Sequence, residues 1–486
     1  MRRKFKAVQA ALESLALLMS AWPAVALAQA QSMFQMQQQI EQLTKRVEDL
    51  ERANQQLHGL DRQVQVIDRK IEADQTAARE SAKTAPIVSV SQAGFFLNSA
   101  DGGKTFSLHL GGYAQTDGRF YLSQTKPSGS EFLMRRVRPI LEGTVGQFYD
   151  FRIMPDFGQG TAVLYDAYTD IHYLPEFRLR LGKFRAPVGL EQLQITRDLK
   201  FVEYALPTDL VPNRDIGVEI HGDLLRQRMN YEVGIFNQIP DNTATVDGAN
   251  GDAKDFEARV YFHPFAGAQF AEISALERWG VGISGTYGDT RATTIDTYKS
   301  AGQFTFFKYN TGVVAAGPRY RYSPQFDWSW RSLGLLGEYI QNTQRLAPPV
   351  TPGKLAYAGT PRTISTQAWQ LQASYLLTGE DETLAAVQPR RNFDPMGGGL
   401  GAWELVARGD QLMIDNDVYN YGLASKSTAA NEALEWSLGV NWYLNRNVKF
   451  QLDYENTTFR YGAGKATAVN ALTAESAILS RMQLSF

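Results

Sequence analysis

Arg135, Arg136 and Arg138 form the densest cluster of cations in any segment that reads as a β-strand. Arginine carries a permanent charge on a planar fork that grips carboxylate or phosphate oxygens two at a time, so this spacing suits anion recognition. Strand geometry sends Arg136 and Arg138 to one face. Arg135 should point the other way, and joins them only if the strand begins or bulges there. At a membrane rim the same side chains would meet lipid head-group phosphates instead. Catalytic chemistry finds less support. The 486-residue chain has no cysteine, which excludes disulfides, thiolate zinc sites and cysteine nucleophiles. It has no G-x-S-x-G, and His58, His109, His172, His221 and His263 show neither catalytic nor metal-ligand spacing. Gly397–Gly401 precedes a strand rather than a helix, so it is no nucleotide fingerprint, and Arg408-Gly-Asp410 lies within a predicted strand. Neither enzyme activity nor a metal or cofactor is expected. A net charge of −2 and a pI near 6.3 argue against nucleic acid, which needs a basic footprint.

The elements that must carry the arginines are strands. From residue 104 onward apolar residues alternate: Phe106, Leu108 and Leu110; Trp436, Leu438, Val440 and Trp442; Val448, Phe450, Leu452 and Tyr454; Ile478, Met482, Leu484 and the terminal Phe486. Short turns such as Asn445-Arg446-Asn447 exchange with long polar stretches at 240–251, 346–361 and 388–399. About sixteen or seventeen segments of apolar-out, polar-in alternation, with aromatics at their ends, describe an all-β transmembrane barrel of about 16 antiparallel strands. Parity turns Arg136, Arg138, Arg152, Arg178, Arg180, Arg259, Arg408, Lys449 and Arg481 inward, against Glu142, Asp166, Asp170, Glu219, Glu404, Asp410 and Asp453. Rings of one sign select ions of the other, so selectivity depends on which of these charges share the narrowest section. The stretch 186–214, with Pro187, Gly189, Pro207 and Pro212, is too long for a turn and is expected to fold inward and narrow the pore.

Upstream, Arg2, Arg3, Lys4 and Lys6 precede an apolar run and two A-x-A sites ending at Ala28 and Ala30, so residues 1–28 read as a secretory signal peptide. Mean hydropathy is −0.30, and no later window is long and apolar enough for a spanning helix. Between 33 and 80, Met33, Met36, Ile40, Leu43, Val47, Leu50, Leu57, Val64 and Ile71 recur three and four apart, an α-helical coiled-coil seam with Asn54 fixing register. By itself that seam leans towards dimers. Residues 81–103 read as a linker, and 104–486 as the barrel.

The run Arg135-Arg-Val-Arg-Pro-Ile-Leu-Glu-Gly143, then Asp166-Ala-Tyr168, then Leu181-Gly-Lys-Phe-Arg-Ala-Pro-Val-Gly-Leu-Glu191 resembles the phosphate-selective porin O/P family. So do Asn213-Arg-Asp-Ile-Gly217, Gly401-Ala-Trp-Glu-Leu405, Leu438-Gly-Val-Asn-Trp-Tyr443 and the Arg-x-Gln-x-x-Phe ending, in order across 104–486. The resemblance implies a homotrimer in the outer membrane of a Gram-negative bacterium. It implies a passive diffusion channel for anions such as phosphate, with the coiled coil in the periplasm, where it would clamp the trimer or touch the cell wall. It assigns Arg135 and Arg136 to the family's constriction pair and Asp166 to its central aspartate. Four family cations are replaced: Tyr113, Gln192, Tyr204 and Asp150 stand in their places. Tyr113 and Tyr204 are expected to give a more neutral, hydrogen-bonding constriction. Weakly selective passage of other small solutes is the alternative, and a structural tether between outer membrane and cell wall a remoter one.

Overall fold

The computed structural model describes residues 26–122, 129–245, 247, 252–267, 271–291, 295, 297–348, 360–462 and 472–486. Most of the expected signal peptide (1–25) lies outside them, as do the tips of several long connections. The chain divides into two units, 1–85 and 86–486. The first holds one helix, α1 (Ala26–Thr84), which already includes the Ala26–Ala28 cleavage candidate. Along α1 Met36, Leu43, Leu50, Val64 and Ile71 are all exposed, an apolar seam that a single chain leaves in water.

Residues 81–103, read from sequence as a linker, are otherwise organised. The helix runs on to Thr84, and β1 (Ile87–Ser91) and β2 (Gly94–Asn98) make an antiparallel hairpin. Local pattern concealed this, because the hairpin is recruited by a distant edge. β2 pairs with the lower half of β3 (Phe106–Tyr121), from Asn98↔Ser107 to Phe95↔Leu110. That stretch of β3 lies beyond the chain's last strand, which reaches only to Tyr113. In the connection Asp101 accepts hydrogen bonds from Ser99 and Thr105, which hold its carboxyl down at about 2.

The remaining strands follow in order: β4 (Glu131–Val145), β5 (Tyr149–Asp156), β6 (Val163–Leu174), β7 (Phe177–Arg185), β8 (Arg214–Leu224), β9 (Met229–Phe236), β10 (Asp255–Phe262) and β11 (Trp279–Arg291). After a two-stranded flap, β12 (Tyr298–Lys299) with β13 (Thr305–Phe307), come β14 (Val314–Trp330), β15 (Leu333–Ala347), β16 (Arg362–Leu376) and β17 (Ala402–Ile414). β18 (Ala430–Tyr443), β19 (Val448–Tyr461) and β20 (Ala474–Ser485) complete the set. Eighteen strands share one sheet; without the β1–β2 hairpin they are sixteen, each antiparallel to the next. The ring closes where β20 meets β3, Ser485↔Tyr113 to Ala477↔Tyr121. Closure removes the unpaired edges that lipid cannot solvate.

Alternation along each strand explains why these residues form this wall. On β19, Lys449, Gln451, Asp453, Glu455 and Thr457 are buried in the interior while Leu452 on the opposite face is 54% exposed. A bilayer accepts the second row and the lumen the first. One end of the ring has tight turns. At 146–148 Gly146 and Gln147 have φ of 63° and 72°, the paired left-handed conformations that match strand twist in a hairpin. Two longer connections, 263–278 and 377–401, join strands at this same end, so the polar stretch 388–399 is not on the long-loop side. The other end carries the remaining long connections, of which 186–213 is folded inside. Val188, Leu206, Leu210 and Val211 from it pack with Tyr298, Phe306, Ile340, Leu412 and Phe459 as an apolar core within that end of the barrel.

Candidate functional site

Residues 186–213 cross the lumen because the far wall supplies what an unstructured backbone lacks, partners for its polar groups. Short helical turns, α2 (Leu190–Leu193) and the 3₁₀ turns Thr196–Asp198 and Leu206–Leu210, shape it. Carboxylates on the opposite strands accept its N–H groups: Glu338 from Leu190 (2.6 Å), Asp453 from Val202 (2.6 Å) and Asp410 from Leu206 (3.2 Å). Cations there take its carbonyls. Lys449 Nζ donates to Arg197 and Leu199 oxygens at 3.0 Å each, and Arg408 Nη1 to the Glu203 oxygen at 3.0 Å. Lys200 from the loop lies between Glu382 (2.7 Å) and Glu404 (2.6 Å).

Against the near wall this leaves two cavities. The outer, ≈ 500 Å³, faces the long connections and is lined by Arg135, Arg136, Arg138, Arg214 and Lys299 against Glu203, Asp209 and Asp241. The inner, ≈ 440 Å³, faces the turns and carries Arg152, Arg180, Arg185, Arg214 and Arg259 against Asp166, Glu219 and Glu232. Each therefore has five cations to three carboxylates, and Arg214 belongs to both. The section between them is built on Thr196. Its hydroxyl receives Arg138 Nη1 (3.3 Å) and Arg185 Nη2 (3.0 Å) and meets the Tyr204 hydroxyl at 3.2 Å. Arg138 also donates to Asp156 (2.7 Å) and to the Tyr113 hydroxyl (2.9 Å), and stacks 3.9 Å over Tyr165. The same ring also meets Arg214, 4.9 Å from its centre, which binds Asp166 at 3.1 Å.

Of the residues singled out in the sequence, Tyr113, Arg138, Asp166 and Tyr204 thus stand at this section, with Arg135 and Arg136 on the outer side of it. Arg135 turns inward because β4 bulges: Gln115 pairs with Arg136 and Thr116 with Met134, so Arg135 is the unpaired extra residue. The turn after β5 backs the bulge, since a Cβ on Gly158 would lie 2.4 Å from the Arg135 carbonyl oxygen. Gly158→Ala should therefore cost about 1–3 kcal/mol of overpacking and move Arg135. Urea unfolding of the refolded barrel checks the cost, and an unchanged midpoint would remove the constraint.

Gln192 departs from its expected place at the constriction. It is fully buried and lines neither cavity. Leu190 and Leu193, three apart on α2, take the face towards the inner cavity, and one helical turn rotates Gln192 away from it. Asp150 also lies apart, bonded to Thr144 (2.6 Å) and paired with His172 (2.9 Å). Reading the sequence alone gave no role to Arg185, Tyr165 or Thr196. Arg185 and Arg214 end β7 and begin β8, directly opposite each other in the ladder. Their position framing a long lumenal insertion was the available signal.

Comparison with known proteins covers the same part of the chain. A family profile described as phosphate-selective porin O and P matches 108–486. Porin O of Pseudomonas aeruginosa is 24% identical over 414 residues, 79% of this chain and 90% of that protein. The outer membrane channel DcaP of Acinetobacter baumannii shares the fold, with a TM-score of 0.51 and 11% identity over 81% of this chain and 100% of that one. The matched region opens within β3 and runs through β20, so the pattern and the closed ring coincide. On barrel, inward loop and profile together, the chain belongs to the phosphate-selective porin O and P family, and its barrel is an outer-membrane channel.

Proposed function

We propose that the channel passes small anions by passive diffusion, phosphate among them, through weak contacts rather than tight capture. The observation that carries this is the section between the cavities, where Arg138, Arg185 and Arg214 stand against two carboxylates, Asp156 and Asp166. Fixed charge in a low-dielectric wall concentrates counter-ions there. Weakness follows from how the cations are already engaged. Arg152 sits between Glu142 (2.7 Å) and Asp166 (3.3 Å), and Arg180 between Asp170 (2.8 Å) and Glu219 (3.2 Å). An anion must share these donors, so it enters and leaves readily. The family's description, phosphate-selective porin O and P, favours phosphate as one such solute. The exposed seam of α1 supports an oligomer joined by a coiled coil in the periplasm, because a row of apolar side chains at heptad spacing is stable only when covered, and the family resemblance makes that oligomer a homotrimer.

The test is the zero-current potential of the purified protein in a planar bilayer under a KCl gradient, repeated with phosphate. The expected result is the sign of anion preference, with phosphate reducing chloride current only at about millimolar concentrations, the range of weak binding. A potential near zero or of cation sign refutes the reading and leaves passage of other small solutes.

A further inference from the structure

Glu203 of the inward loop points back to the near wall, and it is held there by three arginines. Arg135 grips it with Nε on Oε1 (2.7 Å) and Nη2 on Oε2 (3.1 Å). Arg119 Nη2 reaches Oε1 at 2.9 Å, and Arg136 Nη2 stands 3.9 Å from Oε2. Glu203 is 3% exposed. Asp117, on the same strand as Arg119, is no rival partner, because Arg481 holds both of its oxygens at 2.7 Å.

The cradle is poorly matched to a carboxylate. Three permanent positive charges surround a single negative one, and a planar group with two oxygens cannot serve all the forks. Arg119 Nε is buried with no hydrogen-bond partner among the described residues. Arg136 donates to Gln115 (2.9 Å) but lies beyond hydrogen-bond distance of Glu203. A tetrahedral oxyanion with more oxygens and up to two charges fits this set better. Access exists, since Arg135, Arg136 and Glu203 line the outer cavity.

We propose that Glu203 determines the specificity of the channel: it is a resident anion that fills an oxyanion cradle formed by Arg119, Arg135 and Arg136. The proposal rests on the reading of the chain as an anion-preferring channel. Backbone anchors keep the carboxylate in place. Val202 N–H donates to Asp453, and the Glu203 carbonyl accepts from Arg408. Those anchors do not use the Glu203 side chain, so Glu203→Gln should leave the loop seated while freeing the cradle.

The experiment measures chloride conductance of the full-length protein in planar bilayers while inorganic phosphate is titrated. In Glu203→Gln the half-blocking phosphate concentration should fall at least about tenfold below the wild type, since charge-assisted bonds to three guanidinium groups become available. Glu203→Asp, which keeps the charge, should stay within about twofold of the wild type, a shift well under one charged hydrogen bond. A Glu203→Gln channel blocked no better than wild type overturns the proposal. So does a wild-type channel already blocked at about micromolar phosphate, which would mean a tight site open beside Glu203. That wild-type titration decides the matter alone if Glu203→Gln does not assemble, with block only at about millimolar phosphate supporting the proposal. A cation-signed zero-current potential in the wild type defeats the channel reading separately, leaving the Glu203→Gln titration interpretable.

Discussion

Arg408→Met should lose about 3–5 kcal/mol of stability, the usual result of stripping one partner from a buried ionic cluster. Arg408 on β17 donates to Asp410 (3.1 Å), Glu435 (3.0 Å) and the Glu203 carbonyl (3.0 Å). It also lies 3.7 Å from Glu191 and 3.8 Å from Glu455. Among the described residues it is the only cation within ion-pair distance of Glu191, Asp410, Glu435 or Glu455. Methionine keeps the volume and the contact with Phe201, whose ring lies 4.5 Å from the guanidinium, but leaves four carboxylates facing one another. The loop is the part that can leave. Single-channel conductance should rise and become noisy as 186–213 releases, and urea unfolding should shift to lower concentration. A variant with the wild-type midpoint and a quiet wild-type conductance would show that the loop is seated by its backbone bonds alone.

Neutralising the two arginines at the loop's base should have the largest effect on selectivity. Arg185 and Arg214 are cross-strand partners, and like charges directly opposite on a ladder are unfavourable unless something answers them. Arg214 is answered by Asp166 (3.1 Å), while Arg185 donates to the carbonyls of Gln192 and Gln194 and to Thr196 (3.0 Å). Arg185 thus brings charge to the constriction that, among the described residues, no carboxylate pairs. In Arg185→Gln/Arg214→Gln the section keeps Asp166 and the Arg138–Asp156 pair and loses two of its three cations. The anion-to-cation permeability ratio should fall at least about threefold at low salt, where focusing is strongest, and less at high salt as screening shortens its range. The zero-current potential reads this directly. No change in it would mean that another section of the lumen sets selectivity.

Much of the barrel was legible because strands obey a local rule. A residue's parity is decided by its immediate neighbours, and a lipid-facing row must be apolar whatever lies across the lumen, so Leu452 and Asp453 reveal their faces without any partner being known. The same rule left Arg135 open, since the bulge that turns it inward depends on the turn at Gly158 packing against it, and was silent on the hairpin 87–98, which exists because β3 outruns β20. At the constriction, parity and family pattern pointed to Tyr113, Arg138, Asp166 and Tyr204, but not to Arg185 or Thr196. Gln192 occupied a family position and still turned away, since one helical turn, not alignment, orients it.

By itself, then, the sequence determined a strand-built membrane barrel with an inward connection and an arginine-rich wall, because alternation, turn chemistry and composition are short-range properties. Only the tertiary structure decided which of those charges remain available to a solute. That depends on contacts such as Arg408 with the Glu203 carbonyl and Lys200 with Glu404, between residues more than two hundred positions apart. A lumenal arginine reads the same in sequence whether it faces water or a carboxylate of the folded-in loop. The electrostatic difference between those two states is the difference between a site that captures an anion and one that lets it pass.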